Sequence, residues 1–196
     1  ERSLLAMQTN LLGAHTLGIR NIVAVTGEVR PVGDYPDATT VTEVDSIGLV
    51  NAITRLNRGL DVGGQAIGGP TAFHLGVTVN PGADDLDAEI RRFEYKVEGG
   101  AEFVVTRPVF DRRLFERLLP RLELAKLPII LGLRPFDSLL DAEYLANEQP
   151  GTFVPADVLD RMRTAGSTSG GDALGVSIAR ELHEAFRIEQ RSRTPQ

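Results

Sequence analysis

Polar side chains follow short apolar runs of the chain at four places. Thr26-Gly27-Glu28 follows the first run, and Asn80, Arg107 and Arg134 each stand just past a later one, next to a proline. A carboxylate such as Glu28 suits proton or electrostatic chemistry, and an arginine can bind a carboxylate or phosphate through two parallel hydrogen bonds. Each residue also has a plain structural interpretation: a solvated loop glutamate, a turn cap at Asn80 and an ion pair at Arg107.

Several other kinds of site are disfavoured. The chain has no cysteine, which excludes disulfides, thiolate metal sites and a cysteine nucleophile. His15, His74 and His183 have no second ligand at metal-binding spacing, so we expect no metal. A nucleophile elbow, a dinucleotide-binding glycine fingerprint and a phosphate-binding loop with its lysine are all missing, and the Gly-Ser-Thr-Ser-Gly-Gly stretch at 166–171 is interpreted as a flexible loop.

Composition indicates an ordinary globular protein. Of 196 residues, 42% are hydrophobic and 24% charged, and the net charge is −6. Without a basic tract, and with only 6% aromatic residues, the chain is not expected to bind nucleic acid. No apolar run reaches the roughly 20 residues that cross a bilayer, and no signal peptide is recognisable, so we expect no membrane contact and a cytoplasmic location.

Helical and extended patterns alternate along the chain. We predict strands at 21–27, 73–80, 103–106 and 128–133, each a buried apolar run. Seven helices surround them, of which one begins at the N-cap Ser46, one is kinked or shortened at Pro120 and one has Pro155 at its first position.

This alternation predicts an α/β fold with a parallel sheet. Two forms compete: a (β/α)8 TIM barrel and a small, doubly wound, four-stranded domain. A complete barrel has eight strands and about 250 residues, and an open four-stranded sheet leaves its edges unpaired. We therefore expect residues 1–196 to form a single, partial TIM-barrel domain, with strands at both ends lying outside the chain.

The polar segments at these strand ends belong to longer motifs that resemble the methylenetetrahydrofolate reductase family. The similarity runs from about residue 3 to residue 186, and is closest to the reductase half of bifunctional homocysteine S-methyltransferase/methylenetetrahydrofolate reductase. The motifs are Val25-Thr26-Gly27-Glu28, Val44-Asp45-Ser46-Ile47-Gly48-Leu49, Val77-Thr78-Val79-Asn80-Pro81, Lys96-Val97-Glu98-Gly99-Gly100-Ala101, Thr106-Arg107-Pro108-Val109-Phe110-Asp111 and Ala142-Glu143-Tyr144-Leu145-Ala146-Asn147-Glu148.

The resemblance implies a TIM barrel that holds FAD, an oxidoreductase of one-carbon and methionine metabolism. NADH or NADPH would reduce the flavin, which would then reduce methylenetetrahydrofolate to methyltetrahydrofolate. The family's general acid would lie outside this chain. The implied partners are the folate substrate, a fused or separate homocysteine S-methyltransferase, and further copies of the chain in a homo-oligomer.

The resemblance also assigns residues. Glu28 would be the catalytic carboxylate beside the flavin, where the family commonly has aspartate. The cofactor-binding positions would be Thr26, Gly27, Glu28, Asp45, Ser46, Asn80, Glu89, Arg92, Tyr95 and Lys96, although Tyr95 stands where a cation is usual.

Two substrate-binding positions depart from the family pattern. Arg107 replaces the glutamine of Thr-Gln-Pro, and Asp141 replaces an amide-bearing residue. An amide both donates and accepts hydrogen bonds, whereas arginine only donates and aspartate only accepts. We expect Arg107 and Asp141 to face each other. The alternative function is a degenerate flavin- or folate-binding barrel without turnover, serving a homocysteine methyltransferase.

Overall fold

A computed structural model describes residues 2–27, 41, 43–165 and 171–193 of the chain. In the last of these segments, side chains are described for residues 173–186. Glu28 and residues 166–170 of the predicted glycine-serine loop lie outside the described residues.

The described residues form four strands and seven helices. The strands are β1 (Asn21–Ala24), β2 (His74–Val79), β3 (Phe103–Thr106) and β4 (Ile129–Ile130). The helices are α1 (Leu4–Thr16), α2 (Ser46–Asn57), α3 (Leu86–Glu98), α4 (Arg112–Leu124), α5 (Leu139–Asn147), α6 (Ala156–Thr164) and α7 (Gly171–Arg193). The predicted sequence of elements is confirmed, although β1 and β4 are shorter than their apolar runs.

Two local predictions are wrong, and of a third, at Pro120, the expected shortening is wrong while the kink stays a prediction. The N-cap of α2 is Asp45, whose carboxylate accepts the Gly48 N–H, and Ser46 is the first helical residue. Pro155 is the N-cap of α6 and not its first residue. Helix α4 continues through Pro120 to Leu124, so the proline does not shorten it.

The strands lie in the order β1-β2-β3-β4 in one parallel sheet. Asn21 pairs with His74 and Ala24 with Val77, which sets the register of β1 on β2. Because each strand is joined to the next through a helical connection, the sheet has the βαβ arrangement that parallel strands require. The α/β prediction is confirmed, and closure into a barrel stays a prediction.

The chain falls into two compact units. Unit 1 comprises Glu1–Thr78 and Arg91–Val105, and unit 2 comprises Val79–Ile90 and Thr106–Gln196. The core of unit 1 includes the fully buried side chains of Val50, Ile53, Leu56, Leu75, Val77 and Phe93. The core of unit 2 is a cluster of Phe110, Phe136, Ala142, Leu145, Val154, Val158, Met162 and Ile178. The prediction that residues 1–196 are one domain stays a prediction.

Within the described residues, no helix combines the length and the apolar character needed to span a bilayer.

Candidate functional site

In unit 1, a pair of hydroxyl groups ties the end of β1 to the start of α2. The Thr26 hydroxyl donates to Ser46 Oγ at 2.9 Å, and Thr26 Oγ1 accepts the Ser46 backbone N–H at 3.1 Å. Ser46 is buried, with 2% of its surface exposed. These bonds bring the N-terminus of α2, where backbone N–H groups favour anions, to the carboxyl end of a strand.

Asp45 connects this helix N-terminus to α3. One carboxylate oxygen accepts the Gly48 N–H at 2.9 Å, and the other pairs with a guanidinium nitrogen of Arg92 at 2.8 Å. Burial alone would raise the pKa of Asp45. The Gly48 hydrogen bond, together with the hydrogen bond and charge of Arg92, outweighs that effect and holds the pKa below its ordinary value of 3.8. Asp45 is therefore ionised at neutral pH.

Arg92 and Lys96 lie four residues apart on one face of α3. Lys96 is buried, with 3% of its surface exposed, and its ammonium donates to the Thr78 carbonyl oxygen in β2 at 2.8 Å. The Arg92 side chain is 41% exposed, which leaves part of its guanidinium open to solvent. Tyr95 points elsewhere: it is 57% exposed and its hydroxyl makes no hydrogen bond among the described residues.

Together these residues form what we call the unit 1 network: Thr26, Asp45, Ser46, Arg92 and Lys96. The structure brings these five predicted cofactor-binding residues together, whereas Gly27 only follows Thr26 in the chain and Glu28 lies outside the described residues. A guanidinium, an ammonium and a helix N-terminus are the groups that bind a diphosphate. The donor set of the network therefore fits the anionic half of a dinucleotide such as FAD.

In unit 2, three hydrogen bonds within the protein hold Asn80. Its backbone N–H donates to Glu89 Oε1 at 2.9 Å, so Glu89 stabilises the turn after β2. Its side-chain amide donates to the Gly151 carbonyl oxygen at 2.9 Å, and its amide oxygen accepts the Gly82 N–H at 3.0 Å. The structure thus shows Asn80 and Glu89 holding the turn.

Arg107 and Asp141, which we expected to face each other, do not form an ion pair. Asp141 accepts hydrogen bonds from Arg134 at 2.7 Å and from the Asp137 N–H at 3.2 Å. The Arg107 guanidinium instead donates to the Pro150 carbonyl oxygen, in a long bond of 3.4 Å. Among the described residues, Arg107 has no carboxylate within ion-pair distance.

The reason lies in the start of α5. Ser138 is the N-cap, and its hydroxyl accepts the N–H of Asp141, the third residue of the helix. An acidic residue at that position commonly folds back to a backbone N–H just before the helix, as Asp141 does at Asp137. The Ser-x-x-Asp pattern before an apolar run was a signal for this arrangement, and it was missed in the sequence.

A cavity of about 660 Å³ in unit 1 lies beside α2. Its lining includes Asp45, Arg55 and Arg58, but none of the other four network residues. We place the candidate site on the network because the charged and hydroxyl groups converge there. In the part of the chain that the structure describes, no three His, Asp or Glu side chains gather closely enough to hold a metal ion.

Comparison with known proteins identifies a family. The family model described as methylenetetrahydrofolate reductase matches residues 1–186 of the chain. A search of curated protein sequences finds no match.

Proposed function

Because the chain belongs to the methylenetetrahydrofolate reductase family, we propose that it reduces methylenetetrahydrofolate to methyltetrahydrofolate with a bound FAD and with NADH or NADPH as reductant. The single observation that carries the proposal beyond the family match is the unit 1 network. Its hydroxyl groups, helix N-terminus and partly exposed arginine have the chemistry that a flavin dinucleotide requires.

In this proposal the network binds the cofactor. Arg92 would donate to the diphosphate through the N–H groups that Asp45 does not use, while Asp45 keeps the guanidinium in place. Lys96 would add positive charge from the same helix, where Thr78 holds its buried ammonium. When bound, the flavin supplies hydride transfer between the nicotinamide and the folate. Gly27, Glu28, Glu89 and Tyr95 remain cofactor-binding proposals from the family pattern alone, and Glu28 also remains the proposed catalytic carboxylate.

The substrate side of the proposal rests on Arg107. Its guanidinium has five N–H donors, and the structure accounts for one of them, at Pro150. It would therefore bind acceptor oxygens or nitrogens of the folate. Asp141, whose carboxylate is used by Arg134 and the Asp137 N–H, would act as a fixed acceptor at the start of α5.

The finer architecture belongs to the same proposal. We infer a (β/α)8 barrel from family membership and from the βαβ order of the described strands. A homocysteine S-methyltransferase, fused or separate, and a homo-oligomeric assembly are likewise proposed from the family pattern.

The second candidate is a barrel that binds flavin or folate without turnover. Two substitutions favour it: Arg107 in place of the family's glutamine, and Asp141 in place of an amide-bearing residue. Arginine cannot accept a hydrogen bond, so a pterin donor that faces glutamine in the family would face a second donor here.

One spectroscopic experiment separates the candidates. The purified protein is incubated with FAD, freed of unbound flavin, reduced anaerobically with NADH or NADPH, and then mixed with methylenetetrahydrofolate. Reduction followed by folate-dependent reoxidation supports the reductase. A flavin that is bound but never reoxidised by folate favours the second candidate, and a protein that takes up no flavin rules out the reductase.

A matched pair of variants tests the network. We expect Arg92→Ala to weaken FAD binding about 10- to 100-fold, because hydrogen bonds to a charged group contribute about 1.5–3 kcal/mol. Arg91→Ala makes the same charge change on the same helix, at an exposed residue outside the network, and should shift the FAD dissociation constant less than twofold. Equal effects of the two variants would show that only overall charge matters.

A further inference from the structure

The turn after β2 is bound to the connection between α5 and α6, residues 148–155, by a single side chain. Asn80 donates from its amide nitrogen to the Gly151 carbonyl oxygen and accepts the Gly82 N–H on its amide oxygen. Residues 80 and 151 are 71 positions apart in the chain, so this bond is a tertiary contact within unit 2. One amide thus holds two backbone segments at once.

The two segments approach so closely that glycine is favoured at both contact points. Gly151 has a φ of +68°, which side chains rarely adopt, and a Cβ there would lie 2.6 Å from the Asn80 amide nitrogen. A Cβ at Gly82 would lie 3.0 Å from the Gly151 carbonyl oxygen. The contact is therefore closely fitted on each side of Asn80.

Arg107 rests on the same piece of backbone. Its guanidinium donates to the carbonyl oxygen of Pro150, the residue directly before Gly151. One guanidinium nitrogen, Nη1, also lies 3.9 Å from the position that a Cβ on Gly151 would occupy. No carboxylate of the described residues holds Arg107, so the Pro150 carbonyl is the polar group that orients it.

We propose that Asn80 is a positioning residue for Arg107. By holding the Gly151 carbonyl, Asn80 fixes the Pro150 carbonyl, which in turn directs the remaining N–H donors of Arg107. The inference rests on the proposed function in one respect, the assignment of Arg107 to substrate binding. It gives Asn80 a role different from flavin contact, and the two roles predict different kinetics.

Steady-state kinetics separate them. In Asn80→Ala, we expect the KM for methylenetetrahydrofolate to rise about tenfold, while kcat changes less than threefold and the FAD dissociation constant less than twofold. Gly151→Ala, whose added methyl group would press on the Asn80 amide and displace the same backbone, should raise the same KM. Weaker FAD binding with an unchanged KM would overturn the inference in favour of a flavin contact, and an unchanged KM in both variants would overturn it outright.

A double-mutant cycle tests the contact without cofactor or substrate. Urea unfolding is followed for Asn80→Ala, Gly151→Ala and the double variant. The atom nearest to the methyl group added at Gly151 belongs to Asn80, so removing the Asn80 side chain also removes that clash. The double variant should therefore lower the urea midpoint by less than the sum of the two single shifts. Gly64→Ala is the control, because Gly64 has a φ of +88° and open space around it, so it reports backbone strain alone.

The cycle also separates failure of the inference from failure of the proposed function. Additive shifts in a protein that turns over folate would overturn the inference and leave the reductase assignment intact. Coupled shifts in a protein without turnover would overturn the proposed function, and with it the substrate role of Arg107, while the contact between Asn80 and Gly151 would stand.

Discussion

The two units use polar residues at strand ends in different ways. In unit 1, three hydrogen-bonded pairs follow one another from the end of β1 through the start of α2 to α3 and β2: Thr26 with Ser46, Asp45 with Arg92, and Lys96 with Thr78. In unit 2, Asp141 is bound to Arg134, and Asn80 is bound to Gly82 and Gly151. The pairs of unit 1 thus lie along neighbouring elements, whereas the contacts of unit 2 hold separate backbone segments.

The packing of the units differs as well. Helix α1 of unit 1 has no buried residue, and Gly13 in its last turn has open space where a side chain would be. Helix α7 of unit 2 lies against the backbone of Phe136, and Gly175 is the point of contact. The same residue type is thus dispensable in one helix and required in the other.

The largest effect should come from this pair of glycines. A Cβ at Gly175 would lie 2.7 Å from the Phe136 nitrogen and closer still to its carbonyl oxygen, so Gly175→Ala should destabilise the protein by about 3 kcal/mol. Gly13→Ala should stabilise it by about 0.5–1 kcal/mol, since alanine is the better helix former and meets no neighbour. Urea unfolding of both variants measures the contrast, and a loss of stability in both would contradict it.

An intermediate effect is expected at Asp45. Asp45→Ala removes both the cap of α2 and the ion pair with Arg92, and should cost about 1–2 kcal/mol. Asp45→Asn keeps a capping oxygen and loses only the charge. It should cost about 0.5 kcal/mol, because both partners are 41% exposed and solvent screens the pair.

The contribution of Asp45 to the free energy of unfolding should decrease as the pH falls. The pKa of Asp45 is lowered in the folded protein, so its stabilisation is complete above the ordinary value of 3.8. As the pH falls below that value, the unfolded chain takes up the proton first and the stabilisation is lost. The difference in unfolding free energy between wild type and Asp45→Asn should therefore shrink below pH 4. A difference that is constant down to pH 2 would contradict the assignment.

The smallest effect should come from the surface of unit 2. Arg161 on α6 donates two hydrogen bonds, of 2.9 and 2.7 Å, to Glu181 on α7, and they lower the pKa of Glu181. Since the Glu181 side chain is 53% exposed, Glu181→Gln should cost about 0.2–1 kcal/mol. The matched control is Glu184→Gln, on the same helix but without an ion pair among the described residues, and it should have no measurable effect on the urea midpoint.

Sequence patterns predicted the elements well because those patterns are local. The apolar run at Phe103–Thr106 gave a strand with the predicted bounds, and the helices end near the glycines that were expected to stop them, as at Gly18 and Gly59. Side-chain partners were predicted less well. We expected Asp141 to face Arg107. At the start of α5, however, Asp141 accepts hydrogen bonds from Arg134 and from the Asp137 N–H.

The amino-acid sequence by itself determined the α/β class, the order of strands and helices and the family, since periodicity, turn residues and motif spacing are all properties of neighbouring residues. Only the tertiary structure decided which polar groups meet. Asp45 and Arg92 are 47 positions apart, and Asn80 and Gly151 are 71 positions apart. Such pairs depend on how helices and turns pack around the strand ends, and on which donor reaches each acceptor within about 3 Å.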